Sequence, residues 1–438
     1  MRLQTSDWLL LTLAGLLTGC HGVAAPVRGT APRVHLSQGP ATRPEPPGAS
    51  QVSVATAAAA GETPEIARAA CPPALDHLEA AAKAFESRQF DVALACAEDE
   101  LLDDPESAAA EQQRGAALAA LGQTEPARLA YVHALALDPD DPEILADAAD
   151  LYLTRGNVTR EFDEIALQYA QRGEKRARRR RPELLGQLDL LAGMALNDLG
   201  RSQEAARKLD EALEHDPNDL DARYEHAVAA FELCRFADAK ADLKLVLAAL
   251  PDDAYAHHEL GLTLEQLGEA RGSKAELERA TALDGEAFPP TLPVGMAEFK
   301  GMVDAAVKVL PPPLREDLKQ VKLSVEELPD VTDLTVDDPP LSPTILGLFR
   351  GEPLPQPGSN PGGLASGPAA QSAPGAPGGT GGPGGPGDLR AILLYHRNLL
   401  RVAHTREELA KQVQVTLWHE LGHLRGADDD ELRLRGLE

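Results

Sequence analysis

Two histidines and a glutamate near the end of the chain have types and spacing suited to metal chemistry: His419-Glu420-Leu421-Gly422-His423. An α-helix turns about 100° per residue, so the two imidazoles lie only about 40° apart around a helix and can share one cation. Glu420 lies beside them and can reach a metal-bound water without occupying a coordination position, as a general base would. The pattern predicts metal-assisted hydrolysis with Glu420 as the catalytic residue.

A third ligand is predicted after this segment. Gly426 permits the chain to reverse, which brings Asp429 back toward the same cation as an oxygen ligand, with Asp428 as the alternative. Two imidazoles and one carboxylate leave a position open for water, and zinc is the metal that such sites usually hold. The sequence therefore predicts a Zn²⁺ cofactor bound by His419, His423 and Asp429.

The elements around this site are typical of a small α+β domain over residues 293–438. A capping box of Thr405 and Glu408 begins the helix that carries the ligands. Apolar spacing predicts an earlier helix and three short strands, at Met296–Leu310, Val321–Val325, Thr344–Phe349 and Ala391–Tyr395. The Pro/Gly-rich stretch 355–388 cannot build a core, and we expect it to be an inserted flexible loop.

Other polar and aromatic side chains of this domain have less decisive patterns. Trp418 is expected to pack the ligand helix onto the sheet. Four side chains are candidates to stabilise an oxyanion, but no spacing selects among them: Tyr395, His396, Arg397 and His404.

The segment from Met296 onward resembles the bacterial minimal-zincin family of metallopeptidases. The matching residues are Phe299, Val303 and Leu310-Pro311 in the first helix, the strand Val321–Glu327, the hairpin Leu346–Gly351, and the strand Ile392–Tyr395. The resemblance implies the same metal ligands and base, and hydrolysis of a peptide bond. The Pro/Gly insert and the preceding repeats depart from the family's pattern.

A repeat with a period of 34 residues precedes this domain. Pro105 and Pro139 are 34 residues apart, as are Pro217 and Pro251. Small residues keep the same period, at Ala93, Ala127, Ala205 and Ala239 and at Gly115, Gly193 and Gly261. One unit carries ten extra residues, within Arg172–Pro182.

These spacings resemble the tetratricopeptide repeat, and about six units fit between Leu75 and Asp284. The resemblance implies an α-solenoid over residues 62–288 whose concave surface binds a protein or peptide partner. The alternative is that the array is only a spacer.

Composition agrees with a mainly α protein and limits its partners. The 438 residues, 43% of them hydrophobic, are enough for two or three packed units, and an aromatic content of only 4% favours packed helices over a β-sandwich. The net charge of -27 argues against a nucleic-acid-binding protein, because neutralising phosphates requires clustered Lys and Arg that carboxylates do not outnumber. The basic run Arg172–Arg181 could bind phosphates or an acidic partner, although such runs are more often solvated helix ends.

The N-terminus is typical of an export signal. Arg2 precedes the apolar run Trp8–Leu17, and Leu17-Thr18-Gly19-Cys20 resembles the bacterial lipobox. The resemblance implies a signal peptide over 1–20, lipidation of Cys20 and an anchor in the cell envelope, where His21 favours the outer membrane's periplasmic face. An ordinary cleaved signal peptide is the alternative. Residues 21–61 are expected to form a disordered tether of about 35 Å mean reach.

Three further cysteines remain, at Cys71, Cys96 and Cys234. Cys71 and Cys96 could face each other across a helix pair, whereas a buried free thiol is the commoner state for Cys on an Ala-rich helix. The spacing does not choose between these states.

Together these features predict a lipid-anchored zinc metallopeptidase whose repeats recruit a protein partner or substrate. One alternative is a non-catalytic envelope scaffold that works through its repeats, with a degenerate C-terminal domain. Another is a metal hydrolase of a non-peptide amide, such as cell-wall material.

Overall fold

The computed structural model describes residues 70–72, 76–154, 159–355 and 390–437. The predicted signal peptide with Cys20, the tether, and the Pro/Gly insert from residue 356 to 389 lie outside the described residues.

Antiparallel helix pairs fill the described chain up to residue 283. The helices are α1 His77–Glu86, α2 Phe90–Asp103, α3 Ala108–Ala120, α4 Thr124–Leu137, α5 Pro142–Thr154, α6 Arg160–Arg180, α7 Leu185–Asp198, α8 Ser202–His215, α9 Leu220–Glu232, α10 Phe236–Ala249, α11 Ala254–Gln266 and α12 Ala270–Leu283. A 3-10 turn, Pro182–Leu184, joins α6 to α7. Six helical hairpins therefore stack as a solenoid, and the predicted mainly α class is confirmed.

Small residues let the two helices of a hairpin approach closely. A Cβ on Gly193 of α7 would lie 2.5 Å from Leu209 Cγ of α8, and a Cβ on Gly261 of α11 would lie 2.7 Å from Leu277 Cγ of α12. These distances are too short for a side chain, so the periodic glycines are required by packing.

Most of the extra length of the third hairpin lies in its second helix, which is seven residues longer than its counterparts. α6 has 21 residues, whereas α4 and α8 have 14. The basic run forms the end of α6, where Arg172 and Arg176 pair with Asp140, and Arg178 pairs with Glu174. Much of its charge is thus neutralised within the array, as expected for a solvated helix end.

A disulfide joins Cys71 to Cys96 across the first hairpin. Cys234 is a free, half-buried thiol between α9 and α10. The cysteine spacing left two states open, and in the structure Cys71 and Cys96 form a disulfide while Cys234 remains a thiol.

The C-terminal unit is a three-stranded sheet covered by helices. Its elements are α13 Met296–Val309, α14 Pro312–Asp317, a 3-10 turn Leu318–Gln320, β1 Lys322–Glu326, α15 Val331–Leu334, β2 Gly347–Arg350, β3 Ala391–Tyr395, α16 His396–Arg401, α17 Arg406–Leu424 and α18 Asp429–Leu434. The strand order is β1-β3-β2. β1 runs parallel to β3 with Val325 opposite Leu394, and β2 runs antiparallel to β3 with Leu348 opposite Leu393.

The core of this unit lies between the sheet, α13 and α17. Phe299, Leu394, Leu417 and Leu421 are fully buried there, and Trp418 packs against their cluster while remaining half-buried. The predicted helix at Met296–Leu310 and the three predicted strands are found within a few residues of their expected bounds. Within the described residues, none of the helices has the length and apolar character needed to cross a membrane.

Candidate metal centre

The ligand helix α17 is fixed at both ends by its own sequence. At its start the Thr405 side chain accepts from the Glu408 backbone N–H, and the Glu408 carboxylate accepts in return from the Thr405 N–H, as predicted. At its end Gly426 adopts φ 81°, a conformation that favours glycine. The N–H of Gly426 then bonds the His423 carbonyl, and the N–H of Ala427 bonds the Gly422 carbonyl. This Schellman turn ends α17 and leads into α18, whose first residue is Asp429.

The turn brings three side chains together. The two Nε2 atoms of His419 and His423 lie 2.9 Å apart. An Oδ1 atom of Asp429 lies 3.2 Å from His423 Nε2 and 3.6 Å from His419 Nε2. Zinc bonds of 2.0–2.2 Å in a tetrahedral site place neighbouring ligand atoms about 3.3 Å apart, so the three atoms have the separation that one zinc ion needs.

Hydrogen bonds on the far side of each ring identify which nitrogen carries the proton. His419 Nδ1 lies 2.6 Å from the Leu437 carbonyl oxygen, and His423 Nδ1 lies 3.0 Å from the Ala427 carbonyl oxygen. A carbonyl only accepts, so each Nδ1 donates, and each neutral ring keeps a lone pair on Nε2. Burial and the neighbouring His419 ring lower the pKa of His423, which favours this neutral form.

Three acceptors, two imidazole lone pairs and a carboxylate oxygen, therefore face one another. Such an arrangement is repulsive unless a cation or a proton lies between them. The donor set, its spacing and the carbonyls that orient the rings all fit zinc.

A matching turn at the end of α18 supplies the carbonyl for His419. Gly436 has φ 71°, its N–H bonds the Arg433 carbonyl, and the Leu437 N–H bonds the Leu432 carbonyl. The residue after each helix-ending glycine thus presents its carbonyl to one ligand ring.

Close packing holds α18 against the ligand helix. A Cβ on Gly422 of α17 would lie 2.3 Å from Leu432 Cδ2 of α18, and Leu432 is fully buried. Gly422 therefore allows α18 to approach the helix near enough for Asp429 to reach the imidazoles.

Glu420 lies on the buried side of the same helix. It is 4% exposed and accepts a hydrogen bond from the backbone N–H of Phe349 in β2. Burial raises the pKa of Glu420 to about 8. The hydrogen bond from Phe349 opposes this rise, and the charge of Asp429 adds to it. The carboxyl can therefore gain and lose a proton near neutral pH, as a general base and acid must.

The backbone of β2 can lie this close to Glu420 because Gly347 has no side chain. A Cβ there would lie 2.8 Å from both Glu420 Oε1 and Thr416 Cγ2. The Phe349 N–H and the Leu437 carbonyl carry no sequence signal of a role here, since each acts through its backbone, whereas Gly347 lies in the hairpin that matched the family pattern.

The other candidates from the sequence have different positions. Asp428 caps α18 by accepting from the Glu431 N–H, so Asp429 rather than Asp428 joins the two histidines. Among the oxyanion candidates, the ring of His396 bonds the Val294 carbonyl, and His404 is exposed.

Arg397 and Tyr395 complete that set. Arg397 pairs with Glu327 and Glu265, away from the histidines. The Tyr395 hydroxyl is buried without a hydrogen-bond partner in the described part of the chain, and its pKa is raised by burial and by carboxylates that include Glu420.

A second acidic cluster in the repeats has a different explanation. The carboxylates of Glu174, Asp189 and Glu211 converge, but Lys208 Nζ lies 2.8 to 2.9 Å from each of them. The lysine ammonium thus lies between the three carboxylates, where a metal cation would otherwise bind.

Zinc binding is expected to release a proton from Glu420. With a pKa of about 8 the metal-free carboxyl is mostly protonated at pH 7, and a nearby cation favours the ionised form. We expect the release of up to about one proton per zinc at pH 7, and of almost none from this group at pH 9, where it is already ionised. Titration calorimetry in buffers of different ionisation enthalpy measures this number. The Glu420→Gln variant should release about one proton fewer at pH 7, and equal release by both proteins would contradict the assignment.

The chain contains tetratricopeptide repeats and a C-terminal segment that matches a zincin-like metallopeptidase family model. Residues 373–437 match the family model of zincin-like metallopeptidases, a family that implies zinc binding. Residues 196–262 match the tetratricopeptide repeat.

The individual relatives are similar through the repeats. A tetratricopeptide-repeat-containing protein of Pseudomonas aeruginosa is 34% identical over 126 residues, which are 28% of this chain and 20% of that protein. This chain thus matches only a fifth of the relative's length. Among solved structures, the type IV pilus biogenesis factor PilW is 19% identical, with 48% of this chain and 94% of PilW covered at a TM-score of 0.42. YrrB, a repeat protein described with an unusual peptide-binding site, is 19% identical, with 43% of this chain and 93% of YrrB covered at a TM-score of 0.35.

Proposed function

We propose that the chain is a zinc-dependent metallopeptidase whose catalytic base is Glu420. The observation that carries this proposal is the convergence of His419 Nε2, His423 Nε2 and Asp429 Oδ1 beside a buried carboxyl with a pKa of about 8. A purely structural zinc site needs ligands but no such carboxyl. This weighs against the alternative of a degenerate, non-catalytic domain.

The chemistry follows from the positions of these groups. Zinc bound by the two histidines and Asp429 supplies a Lewis acid that polarises a carbonyl group and acidifies water. Glu420 takes a proton from the attacking water as its oxygen bonds the substrate carbonyl carbon, and it delivers that proton to the leaving nitrogen as the C–N bond breaks. The Phe349 N–H holds the Glu420 carboxylate in place for both transfers.

An extended peptide is the substrate class that the geometry favours. β2 lies at one edge of the described sheet, and it contacts Glu420 through Gly347 and Phe349. An edge strand can bind an extended peptide through main-chain hydrogen bonds. This favours peptide hydrolysis over hydrolysis of a non-peptide amide.

The remaining parts of the proposal concern place and partner. We propose that the repeats bind a protein or peptide, as stacked helix pairs of this kind usually do. We also propose that lipidation at Cys20 anchors the protein in the bacterial envelope, with the outer membrane's periplasmic face favoured. The sequence of residues 17–20 supports this anchor.

Digestion of unfolded proteins and peptide libraries by the zinc-loaded chain, read by mass spectrometry, tests the activity. We expect new peptide termini that the Glu420→Gln protein does not produce. A parallel incubation with purified cell-wall material tests the amide alternative. Cleavage of the cell-wall amides alone would reject the peptidase, and no cleavage of either by the zinc-loaded chain would favour the scaffold.

The substitution Gly347→Ala should slow hydrolysis without removing zinc. The added Cβ would lie 2.8 Å from Glu420 Oε1, so the base must shift or β2 must move away from it. We expect kcat to fall about 10- to 100-fold, since an ångström of misplacement can cost this much. Steady-state kinetics and zinc content measure the two effects. Gly301→Ala, where a Cβ meets open space on α13, is the matched control. Equal kcat in both variants would contradict the role of Gly347.

A further inference from the structure

The last helical hairpin of the array contacts the C-terminal unit through a buried carboxylate, beside a longer hydrogen bond of 3.5 Å from Gln266 Nε2 to the Pro343 carbonyl. Glu265 of α11 has a side chain only 6% exposed, and both of its oxygens are bound by arginines of α16. Arg397 Nη1 lies 2.5 Å from Oε1, and Arg401 Nη2 bonds Oε2. A carboxylate buried in this way requires its cationic partners, so the contact holds α16 in one position on the array.

A buried asparagine continues this contact into the C-terminal unit. Arg401 Nη1 donates to Asn398 Oδ1 at 2.9 Å. Asn398 is 3% exposed, and its Nδ2 donates to the carbonyls of Pro343 at 2.9 Å and Ile345 at 2.7 Å. The arginine on the amide oxygen fixes which side of the amide faces the two carbonyls.

The segment bound by Asn398 leads directly into β2. Ile345 is two residues before Gly347, and between them the Leu346 carbonyl accepts from the Tyr395 N–H at 3.0 Å. Gly347 then packs on Glu420, and the Phe349 N–H donates to the Glu420 carboxylate. A continuous series of hydrogen bonds and packing contacts thus connects Glu265 of the array to Glu420, the proposed base.

We infer that Glu265 is a positioning residue of the candidate active site, acting through Arg401 and Asn398 on the strand that holds Glu420. The array is then part of the site's architecture as well as a binding surface. As a role in catalysis this inference rests on the proposed function, whereas the physical connection can be tested without it.

Hydrogen exchange of the full chain, followed by mass spectrometry over residues 344–351, tests the connection. The variants are Glu265→Gln, Asn398→Ala and the double variant. Glu269→Gln is the matched control, because Glu269 pairs with Lys240 within the array and has a half-exposed side chain. Unchanged exchange in α4 and in α13 shows that the array and the C-terminal unit of each variant are folded.

We expect exchange in 344–351 to be about tenfold faster in Glu265→Gln and in Asn398→Ala, and unchanged in Glu269→Gln. The double variant should exchange no faster than the faster single variant, because two residues on one line of contacts do not add. Zinc affinity should stay within about twofold of the parent, since His419 and His423 are oriented by the carbonyls of Leu437 and Ala427, which lie outside this line of contacts.

Two results would overturn the inference. One is exchange in Glu265→Gln that equals that of Glu269→Gln, and the other is additive effects in the double variant. Failure of the proposed function is a separate outcome: the zinc-loaded parent would cleave no peptide, while the exchange data would still decide whether Glu265 positions β2.

Discussion

The Glu420→Gln variant is expected to retain zinc but to lose peptidase activity, with kcat lowered by about 10²- to 10⁴-fold. Glutamine has nearly the same shape and can still accept from the Phe349 N–H, so the fold of β2 and α17 should be kept. The amide cannot take a proton from water, however, and that transfer is what the buried carboxyl provides. Single-turnover kinetics on a peptide identified in the digestion experiment measure the loss.

The control for this variant lies on the same helix. Glu407→Gln changes an exposed carboxylate in the first turn of α17, outside the capping box, and should leave kcat unchanged. Activity in Glu420→Gln within a few-fold of the parent would rule out the proposed base, whether or not zinc is present.

The His423→Ala variant is expected to bind zinc about two to three orders of magnitude more weakly. A structural zinc site is worth roughly 10–16 kcal/mol in total, so one of about four ligands accounts for roughly 3 kcal/mol. Without His423 the remaining pair is His419 and Asp429, whose ligand atoms are 3.6 Å apart, against 3.2 Å for His423 and Asp429. Competition with a chelator of known affinity measures the change in Kd.

His404→Ala is the matched control for that measurement, because His404 is exposed and lies before the start of α17. A Kd for His423→Ala equal to that of His404→Ala would mean that zinc binds elsewhere. A Kd for Asp429→Asn equal to that of His404→Ala would mean that Asp429 is not a ligand, and it would leave the assignment of the two histidines unchanged.

The sequence predicted those features that depend on local periodicity. The 34-residue period located the helical hairpins, because each unit repeats the same close contacts, such as Gly193 against Leu209. The offset of His419 and His423 around one helix, and the capping box at Thr405, follow from helix geometry alone.

Features that depend on distant backbone could not be predicted in this way. The Leu437 carbonyl bonds His419 over 18 residues, and the Phe349 N–H reaches Glu420 from another strand. Every residue type has a backbone carbonyl, and every type except proline has a backbone N–H. The identity of a residue therefore cannot predict such contacts. Glu265 was one acid among 69 Asp and Glu residues until the fold placed it beside Arg397 and Arg401.

The extra residues of the third hairpin show a different limit of prediction from sequence. The period located the insertion, but a run within Arg172–Pro182 could have formed a loop or lengthened a helix. Its Arg, Lys, Glu and Ala residues have high helix propensity, and α6 is longer by about two turns as a result. The signal peptide, the lipidation of Cys20 and the envelope location stay predictions of the sequence.

Metal content of the purified chain tests the central claim most directly. Elemental mass spectrometry of the parent, His419→Ala and Glu420→Gln proteins should give about one zinc per chain for the parent and for Glu420→Gln, and almost none for His419→Ala. A parent protein that holds no zinc after reconstitution, or a His419→Ala protein that holds as much as the parent, would contradict the account.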